Sequence, residues 1–193
     1  MILYFKIIIA ALISFLCLVV VTFPITLKFI KKYKIELNKV IVGYSLILYF
    51  ISVFFLVVFP APSEDALIEY QEIKLQPGAF IWEFIEKTSF KFDEPTTYIK
   101  ALMEPCFYTV VFNVLMLMPF GVFMCYFHRS FVNTLIYTFI LSFFLEFTQL
   151  TGIFGIYDVA YRIFDVDDLI LNTIGGVCGF IIADVFMKKF WSR

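Results

Sequence analysis

Two stretches near the N-terminus, Ile7 to Val21 and Val40 to Phe59, contain no charged residue. The second, and the first as it continues uncharged to Leu27, are long enough to cross the roughly 30 Å of hydrocarbon in a bilayer. A helix of that length folded in water would keep a polar stripe for solvent, and neither run has one. The rest of the chain agrees: its 193 residues are 62% hydrophobic and 16% charged, against roughly 45–50% and 25% in soluble domains. The sequence therefore predicts an all-α integral membrane protein with about five transmembrane helices. They fall near residues 5–27, 40–59, 106–127, 131–150 and 168–188, in a single domain over 1–193.

Charge placement predicts orientation. Lys28, Lys31, Lys32 and Lys34 crowd the first connection, His128 and Arg129 occupy the third, and Lys188, Lys189 and Arg193 follow the last span. With these on the cytoplasmic side the positive-inside rule is obeyed, the N-terminus lies outside and the C-terminus inside. Residues 1–25 read as a retained helix, because the apolar run exceeds a leader's length and no small-residue cleavage site follows it.

The segment 60–105 is then extracytoplasmic and acidic, with Glu64, Asp65, Glu69, Glu72, Glu83, Glu86, Asp93, Glu94 and Glu104 outnumbering Lys74, Lys87, Lys91 and Lys100. Within it Pro77-Gly78 precedes Phe80, Ile81, Phe84 and Ile85, with Glu83, Glu86 and Lys87 on the other side. That spacing predicts a short amphipathic interfacial helix carrying Trp82. A plain membrane anchor and a lid over the polar groups described next are both compatible with it.

Three spans carry polar groups at similar depth. Asn113 lies in the third, Glu146 and Gln149 end the fourth, and Asp168 and Asn172 open the fifth. An ionisable group inside a span costs ~2.5–3.5 kcal/mol on the insertion scale, so one that is retained marks a candidate site. Thr138, Ser142, Glu146 and Gln149 share roughly 80° of arc and must face protein or water. On the last span Asp168, Asn172, Gly175, Gly176, Gly179 and Ala183 share another face. Its small residues allow close helix packing, and the Gly175/Gly179 part is also a candidate surface for a membrane-protein partner. The loop before it adds Arg162, Asp165 and Asp167. Either aspartate also fits as a helix cap, and Arg162 is a candidate partner for Glu146 or Asp168. Pro119-Phe120-Gly121 fits either a kink or a close helix contact.

Composition excludes some chemistry. One histidine, beside Arg129 in a loop, leaves no Ser-His-Asp triad or HExxH zinc site at the polar groups. Cys17, Cys106, Cys125 and Cys178 lack CxxC spacing and read as small apolar residues. No nucleic-acid partner and no organic cofactor is expected. Asp165, Asp167 and Asp168 are the candidate oxygen ligands should Mg²⁺ or Ca²⁺ bind.

The order Asn113-Val-Leu-Met-Leu-Met-Pro-Phe-Gly121, then Glu146-Phe-Thr-Gln149, then Arg162-Ile-Phe-Asp-Val-Asp-Asp-Leu-Ile-Leu-Asn-Thr-Ile-Gly-Gly176 resembles the VanZ-like family. The resemblance is best over 106–188, with weaker features at Phe59-Pro60 and after Gln76-Pro77, and it makes the span 5–27 an addition to a four-helix core. It implies a multi-pass protein of the bacterial plasma membrane and cell envelope. The family's namesake is associated with resistance to the lipoglycopeptide teicoplanin.

Three functional expectations follow. In the first, Asn113, Glu146, Gln149, Arg162, Asp165, Asp168 and Asn172 bind a lipid-linked or acylated envelope ligand in an outer-leaflet pocket. In the second, Glu146 is a general acid or base, with Arg162 and Asp168 as further candidate catalytic groups acting on a lipid-linked substrate. In the third, the glycine face docks another membrane protein.

Overall fold

The structure is a computed structural model that describes residues 2–58, 73–127, 130–157, 160 and 162–191. The expectations placed on Phe59-Pro60, on Glu64 to Glu72, on His128 and Arg129 and on Arg193 lie outside those residues. In chain order the elements are α1 (Ile2–Tyr33), α2 (Leu37–Val58), β1 (Ile73–Lys74), α3 (Ala79–Lys87), α4 (Thr96–Leu102), α5 (Pro105–Tyr126), α6 (Phe131–Leu150), α7 (Gly152–Gly155), β2 (Phe164–Asp165) and α8 (Val166–Trp191). Among the described residues, α1, α2, α5, α6 and α8 are long and apolar enough to cross a membrane.

The chain divides into two compact units, Met1–Pro62 and Ser63–Arg193. The first is the α1–α2 hairpin. The hydroxyl of Tyr44 lies 2.9 Å from Thr22 Oγ1 and 2.8 Å from Thr26 Oγ1, so the few polar atoms of these apolar helices face each other rather than hydrocarbon. The sequence expectation ends the first helix near residue 27, but α1 continues to Tyr33. Lysine is a good helix former, and Lys31 and Lys32 sit at the negative end of the helix dipole. The lysines end the hydrocarbon crossing, not the helix.

The second unit is built on α5 and α8, which run in the same direction: Asn113 meets the start of α8, and Gly121, two turns on, meets Gly176. Glycine makes this contact. A Cβ on Gly175 would collide with the Val114 carbonyl, one on Gly179 with the Met118 carbonyl, and one on Gly121 with the Gly176 carbonyl. Gly121 therefore serves close packing, and α5 runs on with Pro119 inside it. The Gly175/Gly179 face is filled by α5 of the same chain. That corrects the expectation of a second protein docked there, since an approach close enough to need glycine leaves no room for another helix.

α6 lies antiparallel to α8. Thr138 abuts Gly176, and Ser142 receives a hydrogen bond from Asn172 one turn further along. Thr134, Thr138 and Ser142 are fully buried, so the polar stripe of α6 faces protein. After α6 the chain reverses through α7, a left-handed turn with φ of 58° at Gly152, 57° at Ile153, 56° at Phe154 and 85° at Gly155. A side chain in that conformation costs about 1–2 kcal/mol per residue. The Phe154 ring packs 5.7 Å from Phe144 and 6.1 Å from Phe147, which offsets part of it.

The short helix expected after Pro77-Gly78 is α3, entered through Gly78 at φ 84°, a left-handed turn that favours glycine. Besides α7, two further features were not anticipated. One is α4, which starts after Pro95. The other is the parallel pair β1–β2, Ile73 opposite Phe164 and Lys74 opposite Asp165, too short to show a two-residue period.

Candidate functional site

The N-terminal ends of α5 and α8 and the C-terminal end of α6 meet at one place in the second unit. Asn113 donates through Nδ2 to the Asp168 carboxylate. One turn deeper on α8, Asn172 donates through Nδ2 to Ser142 Oγ at 3.0 Å. Glu146, one turn above Ser142 on α6, lies against the backbone N–H of Asp165. Asn113, Glu146, Gln149 and Asn172 are all buried, with Asn172 at 0% exposure, Gln149 at 2% and Glu146 at 3%.

Several buried oxygens remain without a hydrogen-bond partner: Glu146 Oε2, Gln149 Oε1, Asn172 Oδ1 and Thr138 Oγ1. A buried acceptor left unpaired costs ~1–3 kcal/mol, more when it belongs to a charged group. The carboxylate, the two amide carbonyls and the hydroxyl can all accept. Their common demand is for a donor: water, an amine or a hydroxyl.

The three loop aspartates turn to different partners. Asp165 Oδ1 accepts from the Asp167 backbone N–H at 2.8 Å, which makes it the cap of α8. Burial pushes its carboxyl above the usual range, and that cap bond opposes the shift. Asp167, 2% exposed, is neither cap nor free ligand. Its two oxygens accept from the backbone N–H groups of Gly78 (2.6 Å) and Phe80 (2.8 Å), fastening the first turn of α3 to the start of α8. Asp168 faces Asn113. Among the described residues no group of three or more His, Cys, Asp or Glu is placed to hold a metal ion. Arg162 is exposed and forms no ion pair among the described residues, although its charge is felt at Glu146 and Asp168.

Sequence reasoning missed the groups that come from the loop. Lys74, aligned with Asp165 by the β1–β2 pair, brings a positive charge towards Asp165 and Asp168. It is held by Glu83 Oε1 at 2.7 Å, while Glu83 Oε2 holds Lys87 at 3.0 Å. The Pro77-Gly78 turn was the visible signal for α3, but nothing in the sequence tied that turn to Asp167. Asp167 thus ties the first turn of α3 to the start of α8, while Ile81 and Trp82 on α3 remain exposed.

Two carboxylates of this loop are depressed. Lys74 holds Glu83 below its ordinary 4.5, and hydrogen bonds from Ser89 hold Glu104 below the same value. An acid depressed in the folded state contributes stability that is present above pH 4.5 and lost as the pH falls through its folded value. Amide exchange at Lys74 and Ser89, corrected for intrinsic rates, is therefore expected to accelerate on acidification below pH 4.5, while the amides of α5 hold. Equal protection across that window would contradict the assignment.

These features define a multi-pass α-helical membrane protein with a partly unsatisfied polar cluster at one end of three packed spans. The family model for VanZ/LLP1 matches residues 44–187, from within α2 to α8, and the chain belongs to the VanZ-like family. No curated protein and no solved structure matches it.

Proposed function

We propose that this VanZ-like protein works in the bacterial plasma membrane, holding a lipid-linked or acylated cell-envelope ligand at the outer leaflet. Asn113, Glu146, Gln149, Asp168 and Asn172 meet the polar part of that ligand, with Asp165 and Arg162 at the rim. The observation that carries this reading is the buried Glu146 carboxylate with Oε2 unpaired beside the unpaired Gln149 Oε1. A cluster serving only to hold helices together would satisfy its own acceptors. The outward orientation rests on the lysines at the C-terminal ends of α1 and α8. Sequestering or masking an envelope precursor would alter glycopeptide access, and this connects the reading to teicoplanin-type resistance.

The test is mass spectrometry of lipids and envelope precursors retained by purified wild-type and Glu146→Gln protein. At least a tenfold loss of one species is expected in the variant, with helix content unchanged. Identical retained species in both would overturn the reading. Equal teicoplanin susceptibility in deletion and wild-type strains would remove the resistance component alone.

A second reading, a membrane-embedded enzyme acting on a lipid-linked substrate, is favoured by one observation. Glu146 lies against the Asp165 backbone N–H, within reach of the Asp168 charge, and Arg162 acts on both carboxylates. In that case Glu146 is the general acid or base. Turnover of a lipid-linked intermediate by wild type but not by Glu146→Gln would select it.

A further inference from the structure

A cavity of about 450 Å³ is lined by α3, the α3–α4 connection, α4 and the first turns of α5. Phe80, Ile81 and Phe84 form one wall, and Phe107 and Val110 another. Phe84 packs 5.5 Å from Phe90 and 6.2 Å from Phe107, and Phe90 stacks on Tyr98 at 5.1 Å. The Tyr98 hydroxyl, the one polar side-chain group in the lining, already donates to the Phe92 carbonyl at 2.8 Å. The lining side chains therefore keep no free hydrogen-bond donor, and the Tyr98 oxygen is their one acceptor. Ordered water needs two to four polar partners and finds too few among these side chains.

The cavity and the polar cluster share two elements. Phe80 lends its backbone N–H to Asp167 and its side chain to the cavity. Val110 lines the cavity on α5, and Asn113, one turn deeper, reaches Asp168. An apolar slot thus stands about one helical turn from the Asn113–Asp168 pair, and the unpaired buried Asn172 Oδ1 belongs to a residue one turn further along α8, an arrangement that suits the chain and head of an amphiphile. At about 450 Å³ the slot falls within the size range of small-molecule pockets and has room for a hydrocarbon chain.

We infer that the α3–α4–α5 cavity seats one hydrocarbon chain of a membrane amphiphile whose head carries hydrogen-bond donors. The inference rests on the ligand-binding reading above and narrows it. The head presents amine or hydroxyl groups to Glu146 Oε2 and Gln149 Oε1, and the tail lies along Phe84 and Phe107. The Asp167 clamp sets the width of the slot, because it fixes where α3 stands over α5.

The test uses full-length protein in nanodiscs, a photoreactive hexadecylamine with the diazirine on its chain, and peptide mapping of the adducts. Saturable labelling of Phe84, Leu102 or Phe107 is expected. Val110→Trp, which fills the slot, is expected to cut it at least fivefold. Ile81→Trp, at an exposed edge of the cavity, is the second variant should Val110→Trp fold poorly. Adducts scattered over lipid-facing helices and indifferent to both substitutions would overturn the inference, even with Glu146-dependent lipid retention intact. Cavity labelling that persists undiminished in Glu146→Gln, together with unchanged lipid retention, would uphold the chain seat and overturn the head-binding reading.

Discussion

Gly179→Leu is expected to dismantle the second unit. The Cβ alone would run into the Met118 carbonyl, and that obstacle is backbone, which cannot rotate away as a flexible side chain can. Overpacking a tight interior costs typically ~1–3 kcal/mol, and against main chain we expect the upper end or beyond. Gly175→Leu, which meets the Val114 carbonyl, should behave alike. Gly43→Leu is the internal control: it is also a glycine in a spanning helix, yet nothing lies within 4 Å of its Cβ position. Thermal unfolding of detergent-purified protein should show the first two variants markedly destabilised and Gly43→Leu near wild type. If all three unfold alike, the cause is loss of glycine in a lipid-facing helix and not the contact with α5.

The second large effect is expected from Asp167→Ala. Its carboxylate receives two backbone N–H groups at 2.6 and 2.8 Å while 2% exposed. Hydrogen bonds to a charged group contribute about 1.5–3 kcal/mol each, and alanine leaves both donors without that partner. α3 should come away from the start of α8 while α5, α6 and α8 keep their packing, which does not pass through Asp167. Hydrogen exchange should quicken roughly ten- to a hundredfold at the Gly78 and Phe80 amides, since about 1.4 kcal/mol corresponds to a factor of ten. Asp167→Asn keeps one acceptor and should fall between. Unchanged exchange at both amides would mean that the clamp does not hold the loop.

What the sequence made legible was whatever repeats on a helix. Apolar runs of spanning length marked the five long helices, and the four-residue spacing of Thr138, Ser142 and Glu146 marked the buried face of α6. The meeting of Asn113 with Asp168 was foreseen as a shared location but not as a hydrogen bond, because spacing along a helix says nothing about which neighbour lies opposite. The extramembrane loop was least legible. Asp167 and Gly78 are joined only in three dimensions, and no local pattern announces a carboxylate that reads the first turn of a distant helix. α7 was missed for another reason: Ile153 and Phe154 have no intrinsic preference for left-handed backbone, and hydrogen bonds to Thr151 together with packing of Phe154 on Phe144 and Phe147 hold the turn.

The link between Gly78 and Asp167 also dictates an order of events during biosynthesis. Contacts between remote parts of a chain form late, once the loop between them can close. α3 leaves the ribosome well before the segment that will anchor it exists, and two spans must be inserted in the meantime. Every residue lining the aromatic slot lies between Phe80 and Val110, so its walls are made before the last span; what waits for that span is the fastening of α3 by Asp167.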